Sequence, residues 1–412
     1  MTTPATNPSV FDLAARAFSG WTDPGTGARV LRLDVRGDRG ESDVWQTPYQ
    51  QSRCFIDGGR KVLLRTSSES SWARLGGQTQ VVLDLTTGEK SFPFPAGRQI
   101  IEVWDATQTA LLVADGPEVT VELWDMRSGR TLASVATDGW RFGGTSFLCD
   151  GRRALVSHFK GRPHGEPTDS HFHLLTPGQP ARVVLEATGF YCNHIQGCPT
   201  DPELYAYDRW PAPRRDDIEQ VIHVASLDGS LHAPAKLDAR AVRAGSMMGM
   251  RDHYLWTADG RRIVSYFNPE KDGGPTFTAG DSASFGADFN HFRFPWVLSA
   301  LDWRTGEDLA AKYPPGRWGG HMGLTPDGRW IVCAGGPGFD CLYAIELEAL
   351  RSGWNERPIC AYPRTVSRGV NNEPFPYPFV LPDGSGVVFN AGWPGPEHGV
   401  YLAEWPASLR KD

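Results

Sequence analysis

Three histidines stand at matched places in this sequence. His253 and His321 lie six residues before Asp259 and Asp327, and His194 lies seven before Asp201. Gln51 and Tyr377 hold the equivalent position before Asp57 and Asp383. Neutral imidazoles suit a first-row divalent metal, and imidazole is also the commonest side chain for moving protons near neutral pH. Arginines accompany them at 53, 209, 214, 215, 293, 317 and 368. A guanidinium pairs with a carboxylate through two parallel hydrogen bonds, which favours an anionic partner. Trp210, Trp318, Trp393 and Tyr377 offer faces on which sugar rings stack, and serve equally well as packing residues. One such histidine is usually a satisfied structural group; three in register point to a shared polar site.

The aspartates that set this register belong to a repeat. A short apolar segment, an Asp-Gly or related turn and a second apolar segment recur around Asp57, Asp105, Asp150, Asp201, Asp259, Asp327 and Asp383, at spacings of 45 to 68 residues. A third apolar segment and another turn follow each, as in VELWDMRSGRT and WVLSALDWRTGED. Asp-Gly and Thr-Gly pairs are hairpin-turn chemistry. Seven four-stranded units of this size predict an all-β fold, a seven-bladed β-propeller occupying residues 1–412 as one domain. The last unit ends after three strands at GVYLAEWP, and residues 28–35, ARVLRLDV, can supply the fourth. That pairing closes the ring and removes its exposed edges. Residues 9–18 read as a short helix, with Ser9 as its cap and Asp12 three residues later.

Propeller geometry turns spacing into position. The innermost strand of each blade ends at the Asp turn, so residues about six earlier converge on the opposite mouth of the channel. His194, His253 and His321 fall in adjacent blades 4, 5 and 6 and are expected side by side. The loops 159–170, 209–220 and 268–292 rise on the same face and are expected to rim a cleft, since function tends to sit on loops over a rigid scaffold.

Composition excludes several classes. The formal net charge is -7 and no basic run is present, so the chain does not read as a nucleic-acid binder. No stretch approaches the roughly 20 apolar residues of a membrane helix, and the first residues do not read as a secretory signal. Seven scattered cysteines read as reduced core residues of a cytoplasmic protein.

Several segments resemble the oligogalacturonate lyase family. HIQGCPTDPELYAY (194–207), HYLWTADG (253–260), HMGLTPDG (321–328), FPYPFVLPDG (375–384) and YQQSRCFIDGGRKVLL (49–64) are similar to its motifs and keep their order. The resemblance implies a cytoplasmic seven-bladed propeller that cleaves short uronate oligosaccharides by β-elimination. It implies a manganese-type ion held by three His and a Gln. Here two of those His positions fall on Phe375 and Tyr377, and the Gln position on Asn372, so the family's ion site is not intact. The family's catalytic Arg position falls near Gln220 or Val221.

Two arrangements fit these departures. A rebuilt site would hold a divalent metal, manganese or similar, on His194, His253 and His321 with Asn372. A metal-free site would use arginines for the carboxylate and His253, His194 or Tyr377 as base and acid. Substrate contacts are expected from Gln51, Arg53, Arg209, Arg293, Arg317 and Trp318. Asn371 and Glu373 lie beside this set without an assigned role. The expected function is a carbohydrate lyase acting on a uronate-containing or related acidic oligosaccharide. Another glycoside-cleaving enzyme and a non-catalytic binding propeller are the alternatives.

Overall fold

The computed structural model describes residues 8–33, 45–48, 52–66, 80–91, 94–95, 97–114, 118–161, 168–211, 221–234, 252–267, 297–314, 321–334, 341–363, 376–392 and 399–410. They form seven antiparallel sheets arranged as a seven-bladed β-propeller. In each blade the repeat aspartate lies in the turn between first and second strands, as between Phe190–Gly197 and Leu204–Pro211 in blade 4. The chemistry of the repeat explains this. The Oδ1 atoms of Asp150, Asp201, Asp259, Asp327 and Asp383 each accept a backbone N–H two residues on, at 2.8 to 3.0 Å. An Asp side chain that bonds its own downstream backbone closes a turn. Asp105 acts between blades instead, accepting from the backbone of Asp57 and Gly58 at 2.8 and 2.7 Å.

The ring closes as the sequence predicts. Arg29–Leu33 pairs antiparallel with Gly399–Glu404, with Leu31 opposite Leu402. A strand the repeat did not predict, Gly20–Thr22, pairs outside it and makes the closing sheet five-stranded. Asn390 of blade 7 adds a side-chain clasp to Thr47 of blade 1, at 2.9 and 3.0 Å. The predicted helix spans Val10–Ala17, with Ser9 Oγ accepting from Asp12 N at 3.1 Å. It buries Val10, Phe11 and Ala14 and ties its first turn to Asp383 and Ser385 of blade 7. The inner strand of blade 1 is broken into Trp45–Gln46 and Phe55–Ile56, both pairing with Lys61–Thr66.

Apolar side chains fill the seams between blades rather than one central core. Leu148, Phe172, Tyr205 and Tyr207, for example, pack blade 3 on blade 4. The first strands of successive blades meet around the axis, some nearly backbone to backbone. A Cβ at Gly197 would lie 2.5 Å from the carbonyl oxygen of Phe147, and one at Gly323 would lie 2.4 Å from that of Pro378. Gly323→Ala must therefore push blades 6 and 7 apart. It is expected to cost about 2 kcal/mol, the usual scale for overpacking, read as an earlier thermal unfolding transition.

All seven cysteines are unbridged, and Cys54, Cys192, Cys198, Cys333 and Cys360 are buried. Among the described residues no helix is long and apolar enough to cross a membrane.

Candidate active site

The first strands enclose a channel with a cavity of about 470 Å³. Every blade contributes to its wall: Arg53, Trp104, Ser146, Gln196, Trp256, Leu324 and Phe379 represent blades 1 to 7 in order. These positions lie one to five residues beyond the histidine register, toward the Asp turns. The cavity thus sits deeper in the channel than the mouth the sequence indicated. The loop tips expected to rim that mouth, and with them Gln51, Arg214, Arg215, Arg293, Arg317, Trp318, Arg368, Asn371, Asn372, Glu373 and Trp393, lie outside the described residues.

His194 is the most constrained of the predicted residues. It sits within a β-bulge between Asn193 and Gln196, with φ +48°, a left-handed conformation uncommon for a side-chain-bearing residue. Such strain persists only where surrounding contacts impose it. Here they are visible. Tyr254 Oη donates to the carbonyl oxygen of His194 at 2.5 Å, the Gln196 amide donates to the carbonyl of Tyr254, and Trp256 Nε1 donates to the carbonyl of Gln196 at 3.3 Å. Blade 5 thereby grips the bulge of blade 4. The imidazole Nδ1 lies 2.8 Å from Asp208 Oδ2, and the Asp208 side chain is 0% exposed against 13% for His194.

His321 and Tyr377 form a second pair. Their rings meet edge to face at 4.6 Å, and both are buried. Burial pushes the Tyr377 phenol well above its ordinary range, and the Arg65 charge opposes this only in part. Near neutral pH Tyr377 is therefore a proton donor and not a base. His253 lies on the inner strand Asp252–Trp256 of blade 5, between these two pairs in chain order, and its side chain lies outside the described residues.

Arg53 lines the cavity with its side chain 38% exposed. Its guanidinium carbon lies 4.1 Å from the Trp104 ring centroid, and Nη1 reaches Glu102 Oε1 at 2.5 Å. Glu102 is 1% exposed and also accepts from the backbone N–H of Phe147 at 3.2 Å. Burial raises the pKa of its carboxyl, and the Arg53 charge and hydrogen bond act the other way. Arg209 is placed differently. Alternation along its strand turns Asp208 toward the blade 5 seam and Arg209 toward the blade 3 seam, where its guanidinium stacks 3.5 Å from the ring of Phe190 on the first strand of its own blade. It does not join the His194–Asp208 pair.

Sequence reasoning missed Asp208 and Glu102. Each carried a signal: a lone carboxylate inside an otherwise apolar strand, LYAYDRWP and RQIIEVW. Buried carboxylates must be paired or hydrogen-bonded, so both positions implied a partner.

Other histidines gather away from the channel. In blade 3 His158 pairs across strands with His171, and its ring lies 4.9 Å from that of His173. Trp140 stacks on His171 at 4.1 Å. In blade 4 Tyr207 stacks with His223 and His232, and its hydroxyl is 2.5 Å from His232 Nε2.

No protein-family model matches the chain, and no curated protein matches it. Solved structures do. An oligogalacturonate lyase in complex with manganese has a TM-score of 0.69 at 18% identity, covering 96% of this chain and 98% of that one. The fold is that of oligogalacturonate lyases. A second such lyase, from Vibrio parahaemolyticus, has a TM-score of 0.65 at 15% identity, covering 95% and 98%. Hydrazine synthase of Kuenenia stuttgartiensis has a TM-score of 0.51 at 12% identity, covering 90% and 98%. At these identities the likeness concerns architecture. The metal set expected from the sequence was His194, His253, His321 and Asn372. Of the two whose side chains are described, His194 engages Asp208 and His321 packs on Tyr377. Among the described residues no group of three or more His, Cys, Asp or Glu side chains is arranged to hold a metal ion. The two described members of that set, His194 and His321, do not by themselves hold the expected ion.

Proposed function

We propose that this chain is a carbon–oxygen lyase that cleaves a small uronate-containing oligosaccharide by β-elimination in its channel. The observation that carries the reading is a half-exposed guanidinium, Arg53, in the wall of a cavity enclosed by strands of which one bears His194 and another begins directly after His321. The shared fold with two oligogalacturonate lyases supports it. The chemistry follows from the groups. A uronate carboxylate held by a guanidinium has part of its charge neutralised, which acidifies the proton on the adjacent C5. An imidazole, His194 or His253, takes that proton. The electron pair left on C5 forms the C4–C5 double bond, the C4–O bond breaks, and the departing oxygen takes up a proton. Protonated Tyr377 and solvent are the available donors. The unbridged, buried cysteines support a cytoplasmic site of action.

The test is incubation with a panel of uronic-acid oligosaccharides, with and without manganese. The expected product has a new ultraviolet absorbance and product masses that sum to that of the substrate. Products heavier by one water would make the enzyme a hydrolase. Tight retention without turnover would make it a binding propeller, and no interaction with any member would end the acidic-sugar reading.

A further inference from the structure

We propose that Asp208 is a positioning residue that holds His194 as the Nδ1–H tautomer, making Nε2 of His194 the basic nitrogen in the channel. The role as base rests on the lyase reading above; the tautomer does not. Three observations converge. First, the Asp208 carboxylate is fully buried and lies 2.8 Å from Nδ1, so the proton between them belongs on the imidazole, which then donates to the anion. Second, the bulge and the left-handed φ at His194 turn this one residue out of the alternation of its strand. A regular strand would not need that distortion to fill space. Third, the distortion is held from the next blade by the Tyr254 hydroxyl, and Tyr254 is in turn held by Gln196. Strain imposed by two blades on a residue bonded to a buried carboxylate is an expensive way to pack a ring, and a direct way to aim one.

The assignment separates His194 from His253. An imidazole whose Nδ1 donates to a carboxylate has a fixed ring plane and a fixed lone pair. The imidazolium formed when it accepts a proton is stabilised by the same carboxylate. Asp208 itself touches no substrate in this scheme. The carboxylate keeps its charge throughout, and the substrate C5 proton ends on Nε2.

The test uses full-length protein with 15N-labelled histidine, with the His194 signals assigned through His194→Gln. Long-range proton–nitrogen spectra should place the proton of neutral His194 on Nδ1. Asp208→Asn, isosteric but uncharged, should move it to Nε2 or leave a mixture. Wild-type His194 as the Nε2–H tautomer would overturn the proposal, and this measurement needs no substrate and no folded variant at position 208. On a substrate that the wild type cleaves, Asp208→Asn should lower kcat by about 1,000-fold with little change in KM, the scale of losing a positioned base. The acid limb of its pH profile should move to lower pH, because the imidazolium has lost its anionic neighbour. Asp208→Glu should recover part of the rate. A profile unmoved by Asp208→Asn would assign the carboxylate a purely structural role. If no acidic sugar is cleaved by the wild type, the lyase reading falls while the spectra still decide the tautomer.

Discussion

Arg53→Ala will destabilise this protein by about 3 kcal/mol, the scale observed when one partner of a buried ion pair is removed. Most of the loss comes from the group left behind. Glu102 is 1% exposed, and without the Arg53 side chain its described partners are backbone N–H groups, of Phe147 and of residue 53 itself, with no opposing charge. Burial already raises the Glu102 pKa against the pull of Arg53, so in the variant the carboxyl will take up a proton at a higher pH. Arg53→Ala with Glu102→Gln should recover most of the stability, because no buried charge is stranded. Thermal unfolding of the wild type, the single variant and the double variant measures this directly. The double variant also separates folding from function. It should fold, yet lose about 10- to 100-fold in kcat/KM on an acidic sugar, the value of a charge-assisted hydrogen bond. Equal activity in the double variant would remove Arg53 from the carboxylate site.

Acid will loosen the seam between blades 2 and 3 well before the carboxylates titrate. His158 is 2% exposed, and burial, with smaller contributions from His173 and His171, lowers its pKa from 6.5 to about 4. His173 is lowered by burial as well. An unfolded chain protonates these rings near 6.5, whereas folded His158 protonates only near 4. Between those values the unfolded state binds more protons, so stability falls as pH falls; the loss is absent above 6.5 and complete below about 4. A shift of this size corresponds to about 3 kcal/mol. His223 in blade 4, lowered to about 4 by burial and by His232 and Arg209, adds a contribution of the same sign. Denaturant unfolding at pH 7 and pH 4.5 should show a clear loss for the wild type and a smaller one for His158→Phe. Identical pH dependence in both proteins would show that the seam tolerates the proton.

The two effects have one origin. Each blade is a sheet whose faces must be covered by its neighbours, so polar groups placed on those faces are buried by the ring and not by their own blade. Glu102 and His158 are ordinary residues on isolated hairpins. Their cost, and therefore their leverage, appears only when the ring closes.

The architecture was legible in the chain because it is local chemistry repeated. Asp383 and four of its counterparts, Asp150, Asp201, Asp259 and Asp327, close turns through hydrogen bonds to a backbone N–H two residues on, so the turn is written where it forms. The closing strand Arg29–Leu33 was legible because the last unit lacked one. Ser9 and Asp12 marked the helix for the same local reason. The added strand Gly20–Thr22 was not legible, since its GWT carries no periodicity long enough to read.

The site was legible in register and not in pairing. Counting back from Asp201 and Asp327 located His194 on an inner strand and His321 directly before one, because strands rise by a fixed step per residue. The sequence by itself therefore determined the seven-bladed ring, its closure and the circle of strands on which these histidines stand. The tertiary structure alone decided that His194 leans on Asp208 and His321 on Tyr377, that Arg53 carries Glu102 with it, and that Arg209 turns to the neighbouring seam. A bulge of one residue reverses the face a side chain takes, and a contact between blades joins positions some 50 residues apart. Neither is encoded in spacing; both arise from how closed, twisted sheets meet.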